Sequence, residues 1–303
     1  MTIDLLKTDM PQLLAQTKAD SQNQVTPRFL DILCPEFTNS EATKYAMNVI
    51  GSSVTALPFN AQIEKMLEWG ISHQSKVVCV ANVHMLIEAY SHPELSNVLK
   101  SADLVTPDGM PLVWMLRIMG AHDQNRVAGM DIFFSICQLA PKRNSSVFFL
   151  GSEASILEKM RNELERKFPD LKIAGMEPLP FRPLMPAEDE AIIQKINESG
   201  ASIVLVSLGC PKQEYWMNQH KGKIQAVMIG LGGVFPVLGG VRKRAALWIR
   251  ELGLEWLYRL IQEPRRLWSR YSKTNTLFIW LALMQLLTSK SHDDFRQKVP
   301  PFE

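Results

Sequence analysis

Long hydrophobic runs are missing from this 303-residue chain: the longest apolar stretch, "TLFIWLALMQLL" at 276–287, has twelve residues. About 20 are needed to cross a bilayer, so a membrane-spanning protein is not expected. The N-terminus "MTIDLLKTDMPQLLAQTKAD" has no basic segment leading into an apolar one, which predicts no secretory signal. Cysteine is sparse, at positions 34, 79, 137 and 210, and no CxxC pair occurs. Cys79 lies in an apolar run and Cys137 on a helical pattern, which predicts buried free thiols and a reducing compartment. His73, His92, His122, His220 and His292 group with neither cysteines nor acids at metal-ligand spacing, so no zinc motif is present. The GxSxG nucleophile elbow and the GxxxxGK[ST] phosphate loop are absent too, and no strand end carries a DxD pair. Any phosphate charge at a site in this chain is therefore expected to be met by Arg, Lys and backbone N–H groups, with no metal and no cofactor.

What is present is an ordinary folding composition, 46% hydrophobic and 21% charged, with a net charge of only +2. The runs "KVVCVAN", "SVFFLG", "SIVLVSLG" and "AVMIGLGG" are short, continuously apolar and rich in Val and Ile. Such runs suit strands buried on both faces of a parallel sheet. Segments of helical period alternate with them, among them "EASILEKMRNELERKF" and "PAEDEAIIQKINES", the second with its acids at the start where the helix dipole favours them. Strand, glycine or asparagine, then helix is the grammar of an open, mostly parallel, Rossmann-like α/β sheet flanked by helices. The sequence divides into a weakly structured N-terminal extension (1–45), an α/β catalytic body (46–245), a basic helical appendage (246–290) interrupted at Pro264, and a flexible tail (291–303).

In open α/β sheets ligands gather beyond the carboxyl ends of the strands. Four such ends stand out. Asn82 and His84 follow the first run; Gly151-Ser152 closes the second; Gly209 and Lys212–Gln213 follow "SIVLVS" in "SLGCPKQEYW"; Gly230, Gly232 and Gly233 form a GxGG cluster. Free N–H groups at the helix start after Pro211 suit a phosphate, with Lys212 or Gln213 reaching its oxygens; a well-capped helix with solvated polar residues explains the same pattern. The glycines fit either a closely approaching nucleotide or sugar, or plain tight turns. A carboxylate beyond a strand is read in "SADLVTPDGM", where Asp108 stands between Pro107 and Gly109. It is either the N-cap of the next helix or a carboxylate held out to take a proton from an attacking hydroxyl. Asp103 lies five residues earlier, so one of the two acids is expected to position while the other reacts.

The charge is unevenly spread. Residues 242–273 hold nine Lys/Arg against three Glu. That asymmetry points to an anion bound near the C-terminal region. Arg259 has Glu255 and Glu263 four residues to either side, so part of its charge is structural, whereas Arg265, Arg266 and Arg270 have less compensation. Trp248, Trp256, Tyr258 and Trp268 are interleaved with these arginines. The mixture suits a diphosphate and a membrane interface, helices packed on the body, or a nucleic acid.

Taken together, "ANVHMLIEAY", "ADLVTPDGMPLVW", "RVAGMD", "VFFLG", "SLGCPKQEYW", "IGLGGVFPVLGG" and "RKRAALWIRELGLEWLYRLIQEPRRLWSRY" resemble, in order and spacing over roughly residues 50–273, the WecG/TagA/CpsF bacterial glycosyltransferases (glycosyltransferase family 26). The resemblance implies inverting, metal-independent transfer from a UDP-sugar to a polyprenyl-diphosphate-linked sugar. The setting it implies is the inner face of the plasma membrane, in surface or exopolysaccharide synthesis, with no nucleic acid as partner. By motif, Asp108 becomes the general base. Asn82, Arg126 and Gln213 match positions lining the site, and Arg259, Arg265, Arg266 and Arg270 match a region that closes over the donor diphosphate. Ala81 stands where the family often has Thr, Phe235-Pro236 where it has Phe-Asp, and Arg244-Ala245-Ala246 where it has Arg-Ala-Pro. These departures leave the donor open among UDP-N-acetylmannosamine, its uronic acid and UDP-glucose. An NAD(P)-dependent oxidoreductase is the rival enzyme class, but the region about 20 residues after Gly230 is basic where that class needs an acid. A non-catalytic, membrane-associated scaffold binding a nucleotide sugar is the other rival, and an Asp108 that merely caps a helix would favour it. A homo-oligomer is compatible with the composition.

Overall fold

The computed structural model describes residues 45–180, 182–251 and 253–297. The N-terminal extension falls outside these residues apart from Tyr45, as does the expected tail from 298 on. In chain order the elements begin with a hairpin, β1 (Ala46–Val49) and β2 (Ser52–Thr55), and α1 (Phe59–Ile71). There follow β3 (Lys76–Ala81), α2 (Val83–Ser91), α3 (Pro93–Ser101), β4 (Leu104–Pro107), α4 (Met110–Ile118) and α5 (Gly129–Leu139). The second half runs β5 (Ser146–Gly151), α6 (Ala154–Lys167), β6 (Lys172–Glu177), α7 (Pro186–Glu198), β7 (Ile203–Ser207), α8 (Lys212–His220), β8 (Val227–Gly230) and the single turn α9 (Phe235–Leu238). Three further helices complete it: α10 (Leu247–Glu251), α11 (Glu255–Gln262) and α12 (Pro264–Gln297).

Strands β3 to β8 form one parallel sheet in the order β4-β3-β8-β7-β5-β6. The apolar runs behave as two-sided strands must. Val77, Cys79, Val204, Val206 and Met228 enter one core with α2, α3, α7 and α8, while Val78, Val80, Ile203, Leu205 and Ile229 enter the other with α1, α5 and α6. Alternate residues face opposite sides, so a strand covered on both sides has no polar position to spare. The open α/β architecture expected from the sequence is thus present. Cys79 and Cys137 are buried free thiols, and burial pushes both well above the usual thiol range.

Local signals place the helices. Pro186 opens α7, and Glu188 accepts from Met185 N (2.8 Å) and from Arg182 (2.7 Å); these hydrogen bonds, the arginine's first, draw its carboxyl down to about 2. Pro264 opens α12, so the proline expected to interrupt the appendage starts its long helix. That helix is not merely appended. Phe278 and Ala282 are buried against the body, and Gln285 accepts from Ile50 N (2.8 Å) and donates to Asn48 O (2.6 Å). Its opposite face leaves Ile279, Trp280, Leu283, Met284 and Leu287 exposed, at the i, i+1, i+4, i+5, i+8 spacing of a single stripe. Internal packing and an unpartnered apolar surface therefore coexist on one segment. Among the described residues, no helix is long and apolar enough to cross a membrane.

Candidate active site

The carboxyl ends of β3, β4, β7 and β8 meet at one edge of the sheet. Asn82 leaves β3 in extended geometry and caps α2, its Oδ1 accepting from Met85 N (3.2 Å). Beside it, His84 is partly buried with Nδ1 3.6 Å from Glu88. On the neighbouring strand end, Asp108 N donates to Ala81 O (2.8 Å), which fixes the Pro-Asp-Gly segment to β3. Asp108 does not cap α4. Gly109 holds the cap position, and no side chain makes the capping bond. No hydrogen bond or ion pair reaches the Asp108 carboxylate among the described residues. Burial, then the negative charge of Glu255, push its pKa up to about 6 against the pull of Arg259 and Arg126.

Asp103 has a different task. Its carboxylate accepts from Val77 N (2.9 Å) and pairs with Lys76 (3.1 Å) and Lys221 (2.8 Å), at the amino end of the sheet. Strand β4 lies between the two acids, so the expectation that they work as a pair is corrected: Asp103 ties strand starts together. Five residues of extended chain separate them by about 16 Å.

The glycine loops after β7 and β8 are joined by a single side chain. Gln213 turns inward, with Oε1 accepting from Gly209 N (3.2 Å) and Gly232 N (3.1 Å), and Nε2 donating to Glu214 (2.8 Å). A Cβ on Gly232 would stand 2.6 Å from Gln213 Oε1 and 2.9 Å from the Gly209 backbone; one on Gly230 would stand 2.8 Å from Gln213 Nε2. Those two glycines serve close packing. Gly209, with φ +80°, serves the turn itself. Gln213 is buried, so its amide braces the cleft wall, while Lys212 is exposed at the helix start. Glu214, completely buried behind it, is pushed up to about 7 by burial against the hydrogen bonds it accepts, the one from Gln213 foremost.

Arginines close the site from the side of the appendage. Arg126 lies just before Val127, whose N–H donates to Pro107 O (2.9 Å), and so is held close to Asp108. Its Nη1 meets Glu255 of α11 at 3.2 Å, and Arg259, one turn further on, meets the same carboxylate at 2.7 Å. Arg259 Nη1 also lies 3.8 Å from where a Cβ of Gly233 would stand, so this guanidinium leans over the glycine loop. The expected second partner of Arg259 is otherwise engaged, since Glu263 pairs with Arg242 (2.7 Å). Asp131 of α5 receives Arg244 and lies 3.9 Å from Arg250, fastening the appendage to the body. Arg265 is exposed, and the side chains of Arg266 and Arg270 lie outside the described residues. The structure thus gathers Asp108, Asn82, Arg126, the glycine loops and Arg259. Glu255, Asp131, Arg244 and Arg250 belong with them and were missed. Asp131 lies in "RVAGMD", and along the sequence Glu255 shows itself only as a neighbour of Arg259. Among the described residues no three His, Cys, Asp or Glu side chains gather as metal ligands do.

A partly buried carboxylate flanked by two guanidiniums, at a glycine-lined sheet edge, is equipped to receive a proton beside a departing phosphate. The family model of the glycosyl transferase WecG/TagA/CpsF family matches residues 47–292, from the hairpin through most of α12. The chain belongs to this family. Two N-acetylglucosaminyldiphosphoundecaprenol N-acetyl-beta-D-mannosaminyltransferases are similar to this glycosyltransferase. That of Bacillus spizizenii is 34% identical over 194 residues, covering 64% of this chain and 73% of the relative. That of Bacillus subtilis is 32% identical over 196 residues, covering 64% and 74%. The matched family region includes the appendage, so α11 and its Glu255–Arg259 pair fall within it.

Proposed function

We propose that this glycosyltransferase moves an N-acetylmannosamine-type sugar from a UDP donor onto a sugar carried by polyprenyl diphosphate, with inversion, at the membrane surface where bacterial cell-envelope polysaccharide is made. The observation that carries the reading is the Asp108 carboxylate, unbonded among the described residues and flanked by Arg126 and Arg259. The acceptor hydroxyl attacks the anomeric carbon from the face opposite UDP. As the new C–O bond forms, its proton passes to Asp108, and the old C–O bond breaks with the electron pair leaving on UDP. Arg126 and Arg259 offset the charge growing on the diphosphate, while the loops of Gly209 and of Gly230 to Gly233 hold the nucleotide. Asn82 and His84 border the acceptor side, and the exposed Lys212 and Arg265 add positive charge. The names of the relatives support the lipid-linked acceptor and the mannosamine configuration of the sugar.

The inverted surface of α11 supports the membrane setting. This helix turns Glu255 toward the body and leaves Trp256, Leu257 and Ile261 exposed, the last by 72%. With the exposed stripe on α12, the C-terminal helices present apolar side chains and the exposed cations Arg265 and Lys273. That pairing suits an anionic lipid interface.

The reading is tested by incubating the protein with UDP-N-acetylmannosamine and a short-chain N-acetylglucosaminyl-diphospho-lipid, then determining the linkage in the product by NMR. A β-linked disaccharide is expected; transfer from UDP-glucose or from the uronic acid donor alone would reassign the sugar. Gly232→Ala, whose new methyl meets Gln213 and the Gly209 backbone, is expected to keep the fold while UDP affinity, measured by calorimetry, falls about tenfold or more.

A further inference from the structure

Every positive charge described around Asp108 already has an anion. Arg126 and Arg259 share the two oxygens of Glu255, at 3.2 and 2.7 Å, and Arg244 and Arg250 are directed at Asp131. The groups that face Asp108 electrostatically are Glu255 and Arg259 from α11, Arg126 from the segment before α5, and Asp131 from α5. A nucleoside diphosphate entering this cleft would therefore meet four guanidiniums that Glu255 and Asp131 already compensate in part, besides Asp108. Added to an unchanged set, its charge would push Asp108 further toward the protonated form. Exchanged for one of those carboxylates, it would push Asp108 that way less.

Glu255 is the carboxylate placed for that exchange. It bridges one guanidinium from the body and one from the appendage, with one oxygen on each, as two phosphoryl oxygens would. It comes from α11, a helix with no buried residue, whereas Asp131 belongs to α5, whose apolar side is packed into the core. Although burial opposes its charge, the attraction of Arg259, Arg126 and Arg244 holds Glu255 below the usual carboxylate range, so it is an anion throughout the neutral pH range.

We propose that Glu255 is a positioning residue that stands in for the donor diphosphate: in the donor-free enzyme it holds Arg126 and Arg259 across the cleft, and it yields both to the incoming nucleotide. The inference rests on the UDP-donor reading above. Its consequence is that Glu255 competes with UDP, whereas a purely structural clip would assist UDP by keeping the arginines in place. The two roles predict opposite signs.

The test is Glu255→Gln in the full chain, with UDP affinity from calorimetry and the pH dependence of transfer as readouts. UDP is expected to bind about fivefold or more tightly than to the wild type, with the gain shrinking as salt screens the pair. The acid limb of kcat/KM for the donor, which reports the donor-free enzyme, is expected to move to lower pH, because Asp108 loses a negative neighbour. Unchanged or weaker UDP binding, or an acid limb that stays in place, would overturn the proposal. Thermal unfolding and Glu255→Ala guard against a folding defect, since a variant that melts normally yet binds UDP less well marks the structural clip. Wild-type protein that binds no UDP at all would remove the donor reading and this inference together; wild-type binding without tightening in the variant would remove this inference alone.

Discussion

Asp108→Asn is expected to lower turnover by about 10²-fold or more while UDP binding stays nearly unchanged. The substitution keeps the side chain's size and removes its basicity. Because Asp108 caps no helix and makes no ion pair among the described residues, the fold has little to lose. The variant is even expected to melt at higher temperature at neutral pH. Burial and Glu255 hold the native carboxyl at about 6, above its ordinary range, so ionised Asp108 costs stability above that pH. The cost is relieved as pH falls through the native value, and below the unfolded value it is absent. Asparagine carries no such cost. Wild type and variant should therefore differ in thermal midpoint at about pH 8 and converge at about pH 4. Turnover that survives the substitution would end the base assignment whatever the melting curves show.

The second large effect concerns the exposed stripe on α12. Replacing Trp280, Leu283 and Leu287 together by Ser is expected to reduce partition onto anionic vesicles about tenfold or more, with the unfolding midpoint scarcely changed. These side chains are 57%, 55% and 65% exposed, so the folded protein loses little packing. Removing the appendage whole would be a poorer experiment, because Phe278, Ala282 and Gln285 leave with it and uncover α2. Vesicle co-sedimentation at two salt concentrations separates the contributions, since exposed Arg265 and Lys273 give a salt-sensitive part and the stripe does not. Partition that persists in the triple variant, or a stripe that proves to be covered by a second copy of the chain in solution, would remove the membrane from that face.

Much of this arrangement was legible in the sequence for a definite reason. Strands β3, β5, β7 and β8 are covered on both faces, and burial on both faces leaves a short continuous apolar run, which its length and the glycines or asparagine after it mark as a strand. The edge strand β6, "KIAGME", is only partly buried along its length, and the hairpin strands "AMNV" and "SSVT" carry no such run, so none of the three stood out. Asp108 was visible because proline and glycine bracket it at a strand end. Its distance from Asp103 in space was not, since that depended on Leu104 to Pro107 being a strand and not a turn.

The rest of the site is tertiary. Arg126 and Glu255 lie 129 residues apart in sequence and meet only when α11 returns over the sheet edge. Gln213 looked like a ligand-facing side chain because it opens a helix next to a glycine; the nearness of the β8 loop turned it inward to a better acceptor role. A pattern along one segment reveals which groups a helix start offers. It cannot reveal which neighbouring loop takes them.

The most direct measurement is the single-turnover transfer rate of the wild-type enzyme as a function of pH, with Asp108→Asn beside it. The account predicts a rate that falls below an apparent pKa near 6, and a variant whose small residual rate lacks that limb. A wild-type rate flat between about pH 5 and 8, or a limb that persists in the variant, would show that some other group takes the proton.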